Sequence, residues 1–410
     1  MKAKYVVPLT CLGFTSVSSL QMSIFGTALP LIVSELNIDY SLVGILMALW
    51  TLIAALAPLI IGRYVDRLNP LTVMVAVMLI SLLSSLLTAL STNLFILNMA
   101  RVLLSLSIPF AWPTCTKIIA RYMSGENYGY STAVFNTGSM AGLAFSYITM
   151  ALARDKWRCA TIVAGLLALM YIPIIVAVWK YTIKGGFEIK GGMDRQNRRD
   201  YVHYPDTFQR DVVKISLQLF LAHFCALYTW SLLVNWLSTF LVNELRFSYS
   251  YIAIYMLFIY IISSILEVLA GIYSDRIGGS KGRLTILYVG LTTSSVLLLS
   301  TVLVESPLVA ITLISLSVIM WRISTPSFWS IINDIIPLSY LGRVSYVYVS
   351  AAPLSGIASS IANGYIVSAT GSIKYGVLIS SILLLLSPMI YTAAARLGYR
   401  WRAVLMTRQM

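Results

Sequence analysis

The sequence predicts an all-α membrane protein of twelve transmembrane helices arranged as two pseudo-symmetric six-helix bundles. Three observations carry that prediction. The 410 residues are 59% hydrophobic and 11% charged, with a mean hydropathy of +0.84, whereas soluble globular chains carry about 25% charged residues. Uncharged apolar runs recur along the chain, and a helix needs ~20 such residues to cross the hydrocarbon. Finally, "IGRYVDRLNP" at 61–70 is echoed by "AGIYSDRIGG" at 270–279, so that Gly62, Tyr64, Asp66 and Arg67 are answered by Gly271, Tyr273, Asp275 and Arg276 at an offset of 209 residues.

Charge clusters and breaks at Gly, Pro, Asn and Ser delimit the spans. The first, 6–33, follows Lys2 and Lys4. That basic start looks like the n-region of a signal peptide, but the apolar run is too long for an h-region of about 7–15 residues and no small-x-small cleavage site follows. It reads as a retained span. The second, 41–62, closes at Arg63, and the third, 71–90, opens at Pro70. Spans at 93–120, 130–152 and 158–180 complete the first half. The longest polar stretch, "KGGFEIKGGMDRQNRRDYVHYPDTFQR" at 184–210, then divides the chain, and spans at 214–242, 249–272, 284–303, 307–333, 343–368 and 374–396 follow. These runs read as helices because barrel strands would alternate polar and apolar over ~10 residues. The predicted organisation is a bundle at 1–183, a central loop at 184–211 and a second bundle at 212–410.

The formal net charge of +14 would suit nucleic acid, but the positions of the basic residues exclude that reading. With the N-terminus inside, segments assigned to the cytoplasm hold 21 of the 29 Lys and Arg, outside loops hold five (Arg154, Lys156, Arg158, Arg246 and Lys374), and three (Arg101, Lys117 and Arg322) lie within spans. This asymmetry satisfies the positive-inside rule and predicts a multi-pass protein of the cell membrane with both termini cytoplasmic. The central loop reads as a solvated connector touching anionic lipid headgroups at most, and His203 within it carries no catalytic inference. Cys11, Cys115, Cys159 and Cys225 fall in apolar stretches with no CxxC spacing, so buried thiols are expected and neither disulfides nor a metal site.

A second echo supports the duplication: "SIPFAW" at 107–112 and "STPSFW" at 324–329 share Ser, Pro and Trp in the fourth span of each half. Parallel repeats of this kind are one recognised transporter plan. The GxxxDR turn, repeated between spans 2–3 and 8–9, resembles the signature loop of the major facilitator superfamily, whose pattern of twelve spans and a central cytoplasmic loop covers the whole chain. The first copy departs from that signature, with Asn69 and Pro70 where the family usually has Gly and a basic residue. Arg101 sits where the family often places a membrane-embedded Arg. Gly138 and Gly142 in span 5 and Trp157-Arg158 at the start of span 6 match further, and "FWSIINDIIP" at 328–337 looks like span 10 of the organic anion and cation symporter branch.

The resemblance implies that Asp66 and Asp275, with Gly62, Arg67, Gly271 and Arg276, form a cytoplasmic gate, and that spans 1, 4, 7 and 10 line the solute pathway. A terminal Gly lets another helix approach closely, and an Asp emerging at the surface suits a positive helix end. Within the bilayer each charged group is a site hypothesis. Aligning the two Ser, Pro and Trp echoes sets Arg322 opposite Ser105, one turn from Arg101, so both guanidinium groups either meet a carboxylate or phosphate of the solute, pair with Glu267, or snorkel to an interface. Glu267 in span 8 is the one carboxylate well inside the predicted apolar region; it either exchanges a proton during transport or serves as an ion-pair partner. His223 titrates near neutral pH or packs as a hydrogen-bonded side chain. Gln21, Tyr228, Trp230, Asn235, Trp321, Asn333 and Asn363 offer polar tips and aromatic faces to a solute.

These residues lead to an expectation of a secondary transporter working by alternating access, with proton-coupled organic anion symport first and a sugar or drug carrier as its rival. Protons or another coupling ion, a small solute and membrane lipid are the expected partners, the chain acting as a monomer without a cofactor. No GxxxxGK[ST] loop for ATP occurs. A membrane enzyme would cluster carboxylates, His or Cys at one face, which this chain with two His does not; a receptor that binds without flux stays open.

Overall fold

The structure is a computed structural model describing residues 3–65, 67–122, 125–184, 206–277, 279–336 and 338–408. Among them there is no strand, and the helices in order are α1 (Ala3–Leu36), α2 (Tyr40–Val65), α3 (Pro70–Ala89), α4 (Leu94–Ser107), α5 (Ala111–Tyr122), α6 (Gly125–Leu152), α7 (Trp157–Lys184), α8 (Asp206–Asn235), α9 (Leu237–Thr239), α10 (Tyr249–Ile277), α11 (Gly279–Leu303), α12 (Pro307–Ile323), α13 (Thr325–Ile335), α14 (Leu338–Val349), α15 (Ala351–Thr370) and α16 (Lys374–Arg408). All-helical construction follows from the solvent: in hydrocarbon every backbone polar group must be satisfied internally.

Eleven of the twelve predicted spans coincide with helical stretches long and apolar enough to cross a membrane, counted among the described residues. The remaining span, 130–152, falls on α6, which has the length at 28 residues. Asn136, Gly138, Ser139, Gly142, Ser146 and Thr149 make it less apolar than the rest. Most of the predicted central loop, 185–205 with His203, lies outside the described residues.

Several spans are broken where the sequence read them as single rods. Span 4 passes from α4 to α5 through a 3-10 turn at Ile108–Phe110, and span 10 breaks at Ser324 between α12 and α13. Pro109 and Pro326 stand at those breaks, each removing a backbone donor. Span 7 breaks at Trp236 and winds into a π-turn at Phe240–Glu244 with neither Gly nor Pro.

By packing, the chain divides into two compact units, residues 1–196 with 234–257, and residues 197–233 with 258–410. The division differs from the sequence boundary at 184–211 in grouping 234–257 with the first unit. There Tyr40 receives a hydrogen bond from Asn243 Nδ2 at 2.9 Å, Tyr249 OH donates to the Thr27 carbonyl at 2.8 Å, and Ser238 Oγ donates to Tyr147 OH at 3.1 Å.

In this first unit α1 packs along α6 and α7, and α3 along α7. Gly138 and Gly142, a GxxxG pair, bring α6 against the Leu12 and Ser16 carbonyls of α1, where a Cβ on either glycine would collide with main chain. Small residues let backbones approach this closely. The core beside them includes Phe14, Met78, Ile119 and Phe135. In the second unit α11 packs on α12 and α16. Ser294 and Ser317 donate to each other's carbonyls at 2.8 and 2.9 Å across α11 and α12, and Trp321, Phe328, Tyr348 and Tyr391 fill the core.

Candidate functional site

Arg101 on α4 is buried, 8% exposed. Its Nη1 donates to the Gln21 carbonyl at 3.3 Å and its Nη2 to the Met22 carbonyl at 3.2 Å, both on α1. The guanidinium lies 5.0 Å from the Phe25 ring and 5.6 Å from the Trp50 ring. Those rings meet edge to face, and Trp50 is fixed by Nε1 donating to Asn98 Oδ1 at 2.7 Å. Among the described residues no carboxylate pairs with Arg101. Two neutral carbonyls and two π faces are a partial answer to a cation whose insertion at a helix centre costs ~2.5–3.5 kcal/mol.

Gln21, predicted to touch the solute, is instead fully engaged. Its Nε2 donates to the Ala164 carbonyl at 2.7 Å and its Oε1 accepts from Ser85 Oγ, tying α1 to α7 and α3.

In the second unit Arg322 on α12 pairs through Nη2 with Glu267 Oε2 on α10, the ion-pair alternative among those open from sequence. Arg322 is 9% exposed and its Nε is buried without a hydrogen-bond partner among the described residues. The Trp230 ring lies 5.7 Å from the guanidinium, stacks on Trp321 at 4.5 Å, and Trp321 Nε1 donates to the Ala226 carbonyl at 3.0 Å. The pair, the cation and the stacked indoles thus form one rigid cluster of α8, α10 and α12.

His223 sits in a different cluster of this unit. It is buried, bonds Tyr391 OH through Nδ1 at 3.1 Å and stacks on Tyr348 at 4.0 Å; Tyr348 and Tyr391 are joined at 2.7 Å. Tyr228 is buried near the Phe224 ring. Asn363 is fully buried at the contact with Gly376, its Nδ2 donating back to Ser359 at 2.7 Å, while its Oδ1 has no hydrogen-bond partner among the described residues. Asn235 is half-buried, its backbone against Gly26.

For the signature loops, Asp66 lies outside the described residues, as do the side chains of Asp275 and Asn333. Arg67 and Arg276 are exposed. Among the described residues the close helix approach expected at these glycines is not seen at Gly62, where a Cβ would meet nothing within 4 Å; at Gly271 it would touch Pro326 at 3.6 Å, ordinary contact. Close approach to main chain is seen instead at Gly138, Gly142, Gly282 and Gly290, among others.

One expectation about cysteine is corrected. Cys11, Cys115 and Cys225 are buried, but Cys159 is exposed. It lines a cleft of about 440 Å³ with Glu35, Asp155, Lys156 and Arg158. Within that cleft Glu35 accepts from Trp157 Nε1 and pairs with Arg158 Nε at 2.8 Å. Opposite charges at two span ends were the only sequence signal for this pair, and 123 residues separate them.

The chain matches the Major Facilitator Superfamily across residues 11–360. It belongs to that superfamily. It is therefore a multi-pass membrane protein and a secondary transporter, not an enzyme. It is 24% identical over 381 residues to the probable sulfoacetate transporter SauU of Cupriavidus necator, covering 87% of this chain and 86% of the relative. It is 24% identical over 370 residues to the hexuronate transporter of Bacillus subtilis, with the same coverage. A bacterial homolog of the human lysosomal transporter Spinster, crystallised inward-facing and unoccupied, superposes with a TM-score of 0.76 over 98% of each chain at 14% identity, a likeness of fold.

Proposed function

We propose that this transporter moves a small organic anion by alternating access, in symport with protons. The observation that carries the reading is Arg101: a buried guanidinium with no carboxylate among the described residues, bedded on carbonyls and aromatic faces that leave its positive charge unneutralised. A carboxylate or sulfonate supplies the missing charge and matches the guanidinium fork in bidentate fashion. The relatives support it, since sulfoacetate and hexuronates are both organic anions.

The remaining parts of the reading rest on the sequence. The cytoplasmic concentration of Lys and Arg favours the cell membrane with both termini inside. The repeated GxxxDR turns favour a cytoplasmic gate built on Asp66 and Asp275. Proton drive follows from Glu267, a carboxylate placed within a span.

Purified protein in liposomes, given radiolabelled sulfoacetate or a radiolabelled hexuronate with and without an acid-outside gradient, tests the proposal. Saturable uptake that other organic acids compete away and that the gradient accelerates is expected. Uptake indifferent to organic acids and to the gradient overturns it and favours the sugar or drug carrier.

A further inference from the structure

We propose that the cleft between the end of α1 and the start of α7 seats the headgroup of a phospholipid bearing a primary ammonium, of the phosphatidylethanolamine class. The phosphate lies on Lys156 and Arg158 and the ammonium on Asp155. This site is independent of the identity of the transported solute.

Position comes first. The cleft, of about 440 Å³, has the size of a small-molecule site, ~300–1,000 Å³. α1 crosses the membrane from Ala3 to Leu36, so Glu35 and the cleft lie at the surface away from Ala3. Trp157 opens α7 there, and Asp155 and Lys156 form the turn before it. Cys159 lines the cleft and begins an exposed stripe on α7 that continues through Val163, Leu166, Met170 and Ile174. These residues recur at helical spacing on one face, and an apolar face exposed on a membrane-spanning helix meets acyl chains. A lipid lying along that stripe brings its headgroup to the cleft.

Charge then selects the headgroup. The cleft carries two cations and two carboxylates, unequally engaged. Arg158 donates from Nε to Glu35 at 2.8 Å and from Nη1 to the Ala89 carbonyl, and it lies 4.4 Å from the Trp157 ring. Glu35 also accepts from Trp157 Nε1. The guanidinium is therefore fixed, with Nη2 open among the described residues. The Lys156 ammonium and the Asp155 carboxylate are exposed and have no ion-pair partner among the described residues. What stays open is thus a cationic edge beside a single carboxylate, the complement of a zwitterion. A phosphate accepts charge-assisted hydrogen bonds from Lys156 and Arg158, and a primary ammonium has three donors, one of which Asp155 can accept. A choline headgroup has no N–H to give Asp155. A glycerol headgroup brings no cation, so its phosphate meets Asp155 and Glu35 uncompensated.

The exposed thiol reports occupancy. Cys11, Cys115 and Cys225 are buried, so N-ethylmaleimide alkylates Cys159 first, and a seated headgroup shields it. Full-length protein is placed in nanodiscs of phosphatidylcholine alone, or of phosphatidylcholine mixed with phosphatidylethanolamine or with phosphatidylglycerol, and alkylation is followed by peptide mass spectrometry. Wild type is expected to react about fivefold more slowly with phosphatidylethanolamine than in the other two, as for a lipid at about four times its Kd. Asp155→Asn and Lys156→Gln, both at exposed positions, are each expected to erase that difference. Equal rates in the three lipids overturn the proposal, as does a lipid difference that both variants retain. Protection by phosphatidylglycerol equal to that by phosphatidylethanolamine overturns it in favour of a plain anion site. Soluble phosphoethanolamine added to phosphatidylcholine nanodiscs is expected to give no protection; full protection would assign the cleft to a soluble zwitterion and overturn the lipid. If Cys159 is unreactive in every lipid, melting in detergent decides: added phosphatidylethanolamine is expected to raise the wild-type Tm by about 2 °C or more and to leave that of Asp155→Asn in place. No rise, or an equal rise in both proteins, overturns the proposal.

Discussion

Arg101 and Gln21 meet through the main chain: the guanidinium donates to the Gln21 carbonyl at 3.3 Å while the Gln21 side chain turns away to Ala164 and Ser85. The two residues, grouped in sequence as solute contacts, therefore separate in role. Arg101→Lys keeps a charge but loses the fork that spans two carbonyls and, on the proposed reading, the solute anion. A hydrogen bond to a charged group contributes ~1.5–3 kcal/mol, so anion affinity is expected to fall by roughly 10- to 100-fold. Gln21→Ala is expected to lower the melting temperature while preserving the rank order of competing anions. Inhibition constants in anion exchange, with thermal melting in detergent, check both; a Gln21→Ala protein with altered anion preference would contradict the division.

The glycines divide in the same way. Gly142 faces the Ser16 carbonyl and Ser19 Cβ of α1 at a distance that admits no methyl group, whereas a Cβ at Gly62 would meet no atom of the described residues within 4 Å. Overpacking a tight contact costs ~1–3 kcal/mol, and here main chain cannot rotate aside. Gly142→Ala is expected to lower the melting temperature clearly, and Gly62→Ala to leave it unchanged. Equal melting of the two variants would show that α1 and α6 yield more than their packing suggests.

How far the sequence reached can be judged from these residues. Span positions were legible because the bilayer demands ~20 apolar residues per crossing, and Pro109 and Pro326 marked two of the helix breaks. The break at Trp236 carried no such punctuation; its aromatic contact with Tyr40 joins residues nearly two hundred positions apart in sequence. Charges within the bilayer named Arg101, Arg322 and Glu267, because isolated charge in hydrocarbon is costly whatever the fold. Which Arg owned the carboxylate was illegible: it depends on side-chain direction across helices, and only packing shows that Arg322 holds Glu267 while Arg101 rests on carbonyls. Phe25, Trp50, Tyr348 and Tyr391 escaped attention for a related reason, since aromatic residues are common in membrane helices and nothing local separates one that cradles a cation from one that faces lipid.

His223 is held by Tyr391 and stacked on Tyr348 in a fully buried aromatic cluster. That environment argues for packing and against proton exchange. His223→Asn is expected to destabilise the protein by ~1–3 kcal/mol through loss of the bond to the Tyr391 hydroxyl and of the ring stacking on Tyr348, and to leave the pH profile of anion uptake where it was. A pH optimum that moves in the surviving His223→Asn protein would return His223 to the coupling machinery.

Asp155, in the turn between α6 and α7 outside the spans, adopts a left-handed backbone with φ 61°, next to Arg154 at φ 50°. Asn and Gly tolerate that region better than most residues. Partial burial also raises the Asp155 pKa above its ordinary value. The sign follows from linkage: an acid with a higher pKa in the folded state binds its proton more readily when folded, so stability is greater below the ordinary Asp range and declines as pH rises through it. Asp155→Asn removes this titration and keeps a side chain suited to the turn. It is expected to melt slightly above wild type at pH 7 and level with it near pH 3, the gap opening across the intervening range. Melting curves in detergent across that range decide the matter, because a gap of constant size would assign the whole effect to the backbone and none to the charge.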